Sequence, residues 1–202
     1  MEDIKVIRLN TAVVGSGAAG FNAAIRLKQF GCENVAMITE GINIGTSRNT
    51  GSDKQTYYKL GLAGDARDSV AAMAADLFAG GCVDGDNALV EAALSARSFL
   101  NLCELGVPFP TNRYGEYVGY KTDHDPCARA TSVGPLTSKE MTEKLQREAE
   151  RRGVAVYDRQ LAVSIIKHEG KAAGLLTMDL TAGEKPHFTL FNCRNIIFAT
   201  GG

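Results

Sequence analysis

The sequence predicts an α/β fold with a parallel sheet, and three observations carry that expectation. A short apolar run, Leu9 to Val14, passes directly into Gly15-Ser16-Gly17-Ala18-Ala19-Gly20. A helical segment and a second apolar run, Val35 to Thr39, follow at once and end on Glu40. Near the end of the chain another such run, Asn195 to Ala199, leads into Thr200-Gly201-Gly202. Strands alternating with helices build βαβ units, whose parallel strands need a helical crossover.

Taken in order, Leu9 to Val14 reads as a buried strand stopped by glycine. Ala18 to Phe30 reads as a helix with Ala19, Ala23, Ala24 and Leu27 at helical spacing, ended by Gly31. With Val35 to Thr39 these parts make one right-handed βαβ unit. Glu40 to Leu62 is a long stretch rich in Gly, Ser, Thr and Asn, and a loop of that length in a compact domain is usually functional or disordered. Two helices come next. The first carries Val70, Met73, Ala74, Leu77 and Phe78 and stops at Gly80-Gly81. The second, with Asp86 as its expected cap, carries Leu89, Ala93, Ala96 and Leu100. Both stripes are expected to face the core.

Gly106 to Asp125, with Pro108, Pro110, Gly115 and Gly119, reads as an excursion with room for a hairpin. Thr137-Ser138-Lys139-Glu140 has the capping-box pattern and opens a helix through Arg152, with Met141, Leu145 and Ala149 inward. Val154 to Tyr157 is a strand. Leu161 to His168, Ala172 to Leu180 and His187 to Phe191 read as three short strands turning at Glu169-Gly170 and Ala182-Gly183. Asn195 to Ala199 is the last buried strand.

The 202 residues suffice for one good-sized core and are few for two. A net charge of −1 gives no electrostatic case for nucleic acid or an anionic membrane as a partner. No apolar run is long enough to span a bilayer, and Met1 to Asn10 has no signal-like apolar region. Cys32, Cys82, Cys103, Cys127 and Cys193 include no CxxC pair, so no metal site is expected, and a reducing cytoplasmic location is. Each cysteine is expected as a small core residue.

The glycine-rich turn carries the chemistry. Gly15 permits a tight turn, Gly17 lets backbone approach a pyrophosphate, and Gly20 allows close helix–strand packing. The helix N-terminus presents free N–H groups to phosphates. Glu40, at the end of the second strand, stands where an acid accepts hydrogen bonds from ribose hydroxyls. This much fits either FAD or NAD.

Further segments add to the turn: Thr46-Ser47-Arg48-Asn49-Thr50-Gly51, Cys127-Ala128-Arg129-Ala130 leading to Gly134, Tyr157-Asp158, Gly170, Gly174-Leu175, and the closing Ala199-Thr200-Gly201-Gly202. With these, nearly the whole chain resembles the N-terminal part of the flavoprotein subunits of fumarate reductase and succinate dehydrogenase. That superfamily also includes L-aspartate oxidase and adenylylsulfate reductase. The resemblance implies a Rossmann-like FAD-binding domain of the two-dinucleotide-binding type, with a three-stranded antiparallel insertion, over residues 1–202. It implies FAD, with the pyrophosphate on Gly15, Ser16, Gly17, Ala18, Ala19 and Gly20 and the adenosine ribose on Glu40. The adenine would meet backbone near Ala162. The flavin would lie along Thr46, Ser47, Arg48 and Asn49, with Thr200 and Gly201 beside the cofactor.

The same resemblance implies hydride transfer between flavin N5 and a small organic acid. An electron-transfer subunit is a partner it allows. An L-aspartate-oxidase-like amino-acid oxidase and a non-catalytic nucleotide-binding module are the alternatives. The family's proton donor and carboxylate-binding residues follow the Ala-Thr-Gly-Gly strand, in a capping domain and beyond. No catalytic residue is therefore assigned, the chain alone is expected to be inactive, and the C-terminal FAD segment is expected to lie outside it. Members with covalent flavin carry His at the position of Arg48 and Gly-Gly where this chain reads Asp53-Lys54-Gln55. That departure implies non-covalent FAD and argues against a respiratory succinate dehydrogenase.

Other candidates have plainer readings. His124, between Asp123 and Asp125, has the neighbours of an acid–base residue but reads as part of a solvated loop. His168 and His187 read as surface residues. Lys144, Arg147, Arg151 and Arg152 interleave with Glu143, Glu148 and Glu150, which makes a solvated helix face. Ser47 has no His or Asp arrangement around it for hydrolase chemistry.

Overall fold

A computed structural model of the protein describes residues 4–65, 67–122, 125–183 and 185–201. Asp123 and His124 lie outside the described residues, and so does Gly202. The elements in chain order are β1 (Lys5–Arg8), β2 (Thr11–Val14), α1 (Ala18–Gln29), β3 (Val35–Ile38), the single turn α2 (Thr46–Asn49) and β4 (Tyr57–Tyr58). Then come α3 (Val70–Ala79), α4 (Gly85–Glu104), β5 (Ala130–Thr131), α5 (Thr137–Arg151) and β6 (Ala155–Tyr157). The last four are β7 (Gln160–His168), β8 (Lys171–Asp179), β9 (His187–Asn192) and β10 (Asn195–Phe198). The chain divides into two compact units, Met1–Thr50 with Thr142–Gly202, and Gly51–Met141.

In the first unit β2 and β3 are buried at every position, as strands covered on both faces must be. They sit inside a parallel sheet of order β10-β2-β3-β6, in register at Val14↔Ile38 and Phe198↔Val14. β10 is not the buried strand expected from its sequence. It lies at the sheet edge with a neighbour on one side only, and Phe198 is half exposed. Helix α1 turns Gly20, Phe21, Ala24 and Ile25 inward; of the expected Ala19, Ala23, Ala24 and Leu27, Ala24 is buried and the other three are not. Gly20 decides this, because without a side chain it lets the helix come close to the turn before it.

A second sheet has the order β1-β9-β8-β7. β7, β8 and β9 pair antiparallel, and Glu169 and Gly170 turn the β7–β8 hairpin with φ of 49° and 75°. β1, which the sequence reading left without structure, joins β9 in parallel from Lys5↔Thr189 to Arg8↔Asn192. Ala12, Val14, Ile38, Leu175, Phe191 and Cys193 form one core cluster across both sheets, with Tyr157 edge-on to Phe191 at 4.9 Å. Cys193 is the one buried cysteine among the described residues, and Cys82 is exposed. The expectation of five core cysteines holds in full for Cys193 alone, since Cys32, Cys103 and Cys127 are half-buried.

In the second unit α3 is capped by Ser69, whose Oγ accepts from Ala72 N at 3.1 Å. The cap of α4 is Asp84, two residues before the expected Asp86: its Oδ1 accepts from Asp86 N and Asn87 N. The expected stripe of α4 is also displaced. Ala88, Ala92, Ser95, Phe99 and Leu102 are buried, whereas Leu89 and Leu100 are 49% and 43% exposed. On α3 only Met73 is buried and Phe78 is exposed. α4 is apolar round most of its circumference, so its period marks two faces and the smaller side chains take the close-packed one.

Phe99 gathers Tyr57, Phe109 and Tyr117 around it with ring centroids 4.8–5.8 Å away. In place of the hairpin, the excursion holds a turn closed by Asn112 N to Glu116 O at 3.0 Å and one bridge, Tyr120–Ala130. The start of α5 differs from a capping box. Thr137 Oγ1 accepts from Val133 N and donates to Gly134 O, while Glu140 N bonds Leu136 O. Leu145 and Ala149 do turn inward.

The polar core of this unit is Arg129, fully buried. Its Nε and one terminal nitrogen donate to the two oxygens of Asp68 at 2.9 and 2.7 Å, and the other terminal nitrogen reaches Asp76 at 2.7 Å and the Tyr58 hydroxyl at 3.0 Å. A bidentate pair of this kind satisfies a buried guanidinium. The Arg129 side chain holds the Asp68 carboxyl down to about 2, chiefly by those bonds.

Candidate cofactor-binding site

The site begins where β2 runs out. Gly15 takes φ +109°, a conformation that side chains resist, and its N–H donates to Ile38 O at 2.9 Å. A Cβ on Gly15 would stand 2.3 Å from Ala199 O, and one on Gly20 would stand 2.1 Å from Gly15 O. Strand, turn, helix and last strand therefore demand glycine at both places, with or without a ligand. Gly17 is different: a Cβ there would meet only the Ser47 side chain, with Oγ at 3.3 Å. No backbone atom crowds that position, so its backbone stays open to approach from the Ser47 side.

Helix α1 carries no acidic residue in its first turn and has Arg26 and Lys28 in its last. Its N-terminal partial positive charge is thus left for an anion, while its C-terminus is compensated. Gly17 offers no side-chain cap. The Ala18 N–H meets Ser47 Oγ at 3.3 Å, a long bond that a phosphate oxygen would better.

A cleft of about 620 Å³ opens over the C-terminal ends of β2, β3 and β10, the place where open parallel sheets bind ligands. Gly15, Ser16, Gly17, Ala19 and Glu40 line it, and so do Thr46, Ser47, Ala162, Thr200 and Gly201. Ala18, Gly20, Arg48 and Asn49 do not line it, although the sequence reading put them at the site. Gly20 packs the helix. Asn49 Nδ2 closes the loop onto Asn43 O and Gly45 O at 2.9 and 3.0 Å.

Arg48 lies against α5, its side chain 11% exposed, donating to Gln146 Oε1 and standing 3.9 Å from Glu143. Its Nε is buried without a partner among the described residues. The turn α2 is held to α5 a second time, where Thr142 Oγ1 donates to Ser47 O at 3.3 Å.

Several lining residues went unnoticed in the sequence, among them Thr39, Ile44, Gln160 and Phe198. Thr39, next to Glu40, was the one with a signal. Its hydroxyl lies 3.0 Å from that of Ser16, its N–H donates to Tyr157 O at 3.0 Å, and its carbonyl accepts from Gln160 N at 2.8 Å. Just beyond, Ile42 N donates to Asp158 Oδ1 at 2.8 Å.

Chemically the lining combines the backbone of the glycine turn, the Glu40 carboxylate and the apolar Val14 and Ile38. Glu40 is the one titratable residue among its described lining, so the cleft can hold a ligand but supplies no acid–base pair. Among the described residues, no cluster of His, Cys, Asp and Glu could hold a metal ion and no helix is long and apolar enough to cross a membrane.

The fold has many solved counterparts. Mycobacterium smegmatis Sdh1, in complex with UQ1, superposes with a TM-score of 0.86 at 21% identity, over 98% of this chain and 35% of its own. E. coli quinol fumarate reductase FrdA gives 0.83 at 20% identity, over 98% and 33%. The 3-ketosteroid-delta4-(5alpha)-dehydrogenase of Rhodococcus jostii RHA1 gives 0.77 at 17% identity, over 100% and 47%. The chain spans about a third of the length of the first two, and likeness at these identities shows the fold. No curated protein matches the sequence significantly. The model of the FAD binding domain family, FAD_binding_2, matches residues 10–202, nearly the whole chain. A cleft built from a glycine turn, an open helix N-terminus and Glu40 agrees with that match, and the chain belongs to the FAD binding domain family.

Proposed function

We propose that the cleft holds FAD and that the protein is the FAD-binding portion of a flavin-dependent oxidoreductase acting on a small organic acid, in the manner of fumarate reductase and succinate dehydrogenase. One observation carries the binding half of this reading. The open, uncompensated N-terminus of α1, Gly17 and Glu40 lie on one cleft over the ends of a parallel sheet. The residues fit the group. Backbone at Gly15, Ser16, Gly17, Ala18 and Ala19 would hold the pyrophosphate, with Gly20 keeping the helix close enough for this. Glu40 would accept from the adenosine ribose and Ala162 would flank the adenine. Thr46 and Ser47 would lie along the flavin, with Thr200 and Gly201 beside it, and Arg48 and Asn49 would brace their turn from behind.

Bound FAD supplies hydride exchange at its N5. The chain's own residues bind and orient it; none of the residues lining the cleft is assigned to proton transfer or substrate binding. The domain over 1–202 is then the N-terminal part of a Rossmann-like FAD fold of the two-dinucleotide-binding type, with β7, β8 and β9 as its antiparallel insertion. FAD is held non-covalently, an electron-transfer subunit is its redox partner, and the protein is cytoplasmic.

The test is direct titration of the 202-residue chain with FAD, followed by quenching of flavin fluorescence. Saturable binding in the micromolar range or tighter, lost in Gly17→Val, is expected. Absence of binding by the unaltered chain would refute the cleft as an FAD site.

A further inference from the structure

We propose that Ser16 and Thr39 are a positioning pair, whose hydroxyl contact fixes the distance between the phosphate-binding turn and the carboxylate of Glu40. The inference rests on the FAD reading above and adds a role for side chains that the glycine motif leaves unspecified. Ser16 sits between two glycines whose backbone faces the cleft, yet its own residue is only 4% exposed. The side chain is engaged at the residues just past the end of β3. Its Oγ lies 3.0 Å from Thr39 Oγ1 and donates to Gly41 O at 3.0 Å. Gly41 N donates back to Thr39 Oγ1 at 3.3 Å.

Glu40 is therefore bracketed. The residue before it and the residue after it are both tied to Ser16, while its own side chain stays exposed on the cleft. The far side of the same segment is held by Gln160 N on Thr39 O and by Asp158 on Ile42 N. A ligand that runs from a diphosphate on α1 to a ribose on Glu40 must bridge two segments far apart in sequence. Its affinity depends on their separation, since a misplacement of about 1 Å in a preorganised site is costly. Two buried hydroxyls that satisfy each other across the gap hold that separation before the ligand arrives.

The test uses the 202-residue chain with FAD as the probe, reading dissociation constants by fluorescence quenching and ligand-free unfolding midpoints in parallel. Ser16→Ala and Thr39→Val should each weaken FAD binding by about tenfold, the scale of one well-placed hydrogen bond. Thr39→Ser, which keeps the hydroxyl, should restore it to within about twofold. In a Glu40→Gln background, where no carboxylate remains to be placed, Ser16→Ala should cost less than about twofold. A merely structural role would instead lower the unfolding midpoint and multiply the two losses in full. Unchanged affinity in Ser16→Ala, or a loss as large with Glu40→Gln as without it, overturns the positioning role while leaving the FAD reading intact. Failure of the unaltered chain to bind FAD overturns both.

Discussion

Gly20 faces the carbonyl oxygen of Gly15 so closely that a Cβ on Gly20 would stand 2.1 Å from it. That contact is backbone against backbone, with no flexible side chain to give way. It makes the third glycine of the turn a packing residue, and it separates two substitutions that a motif alone would treat alike. Gly20→Ala should destabilise the first unit by about 3 kcal/mol, the scale of overpacking in a rigid site. At Gly17, whose φ is an ordinary −76°, a Cβ would meet no backbone, only the Ser47 side chain, so Gly17→Val should lower the unfolding midpoint far less than Gly20→Ala while abolishing FAD binding. Denaturant unfolding of both variants beside FAD titration checks the pair. A folded, FAD-binding Gly20→Ala protein would contradict the packing argument.

How much of this was legible in the sequence follows from how many signals coincide at one place. At residues 11–20 a strand, a glycine turn and a helix start fall together, and the contacts of Gly15 and Gly20 show why each needs its residue. Helix faces were less legible. On α4 the large Leu89 and Leu100 outweigh Ala88, Ala92 and Ser95 in any apolar count, yet close packing in the α3–α4 pair favours the small ones, with Ser95 Oγ against Met73 Sδ at 3.7 Å. β1 was invisible because Lys5, Val6, Ile7 and Arg8 alternate too briefly and find their partner, β9, near the other end of the chain. At the site, the spacing of the glycines marked the turn that lines the cleft. The Ser16–Thr39 contact could not, because a hydroxyl carries no periodicity.

Asp68 should govern the acid limb of stability. Its two oxygens satisfy the fully buried Arg129, and its carboxyl is held at about 2 in the folded chain. The folded value lies below the unfolded one of about 4. Its contribution is therefore complete above about pH 4 and is lost as pH falls through 2. Asp68→Asn should cost about 3 kcal/mol at neutral pH, because Arg129 keeps its charge while its remaining carboxylates are weaker partners: Asp76 is 39% exposed on its side chain and the buried Asp125 stands 3.9 Å away. The variant should also show a shallower loss of stability from pH 4 to pH 2. Circular dichroism melts over that range decide the matter, and parallel curves would count against it.

Lys59 is the opposite case. It is fully buried, and its ammonium has Leu60 O at 3.5 Å, the face of Phe99 at 4.9 Å and a longer-range attraction to Asp68, but no ion pair among the described residues. Burial lowers its pKa. Lys59→Met keeps the stem against the rings and removes a poorly paired charge, so it should stabilise the chain by about 1 kcal/mol. Because the folded pKa is below the unfolded one, protonation opposes folding at neutral pH, and that cost fades as pH rises toward the ordinary lysine value of about 10. The gap between variant and unaltered chain in urea unfolding should narrow over the same range. A gap that is negative, or that widens with pH, would show that the cation–ring contact outweighs desolvation.

The last expectation concerns how FAD is held. A covalent link at the α2 turn needs a nucleophilic ring nitrogen, and the residue there is Arg48. Guanidinium stays protonated at physiological pH and has no free lone pair to bond a flavin carbon. Its placement points the same way: the side chain is engaged with Gln146 and lies near Glu143 on α5, off the lining of the cleft. The histidines of the chain are His124, His168 and His187, and none falls in residues 40–62. FAD loaded onto the protein should therefore leave it completely on acid or heat denaturation, with yellow fluorescence passing a filter that retains the polypeptide. Arg48→Ala should keep this release unchanged while loosening the turn that carries Ser47, so that FAD binds several-fold more weakly, on the scale of one lost hydrogen bond. Flavin fluorescence that stays with the polypeptide through a denaturing gel would defeat the non-covalent assignment. Equal affinity in Arg48→Ala would defeat the bracing role and leave the linkage result standing.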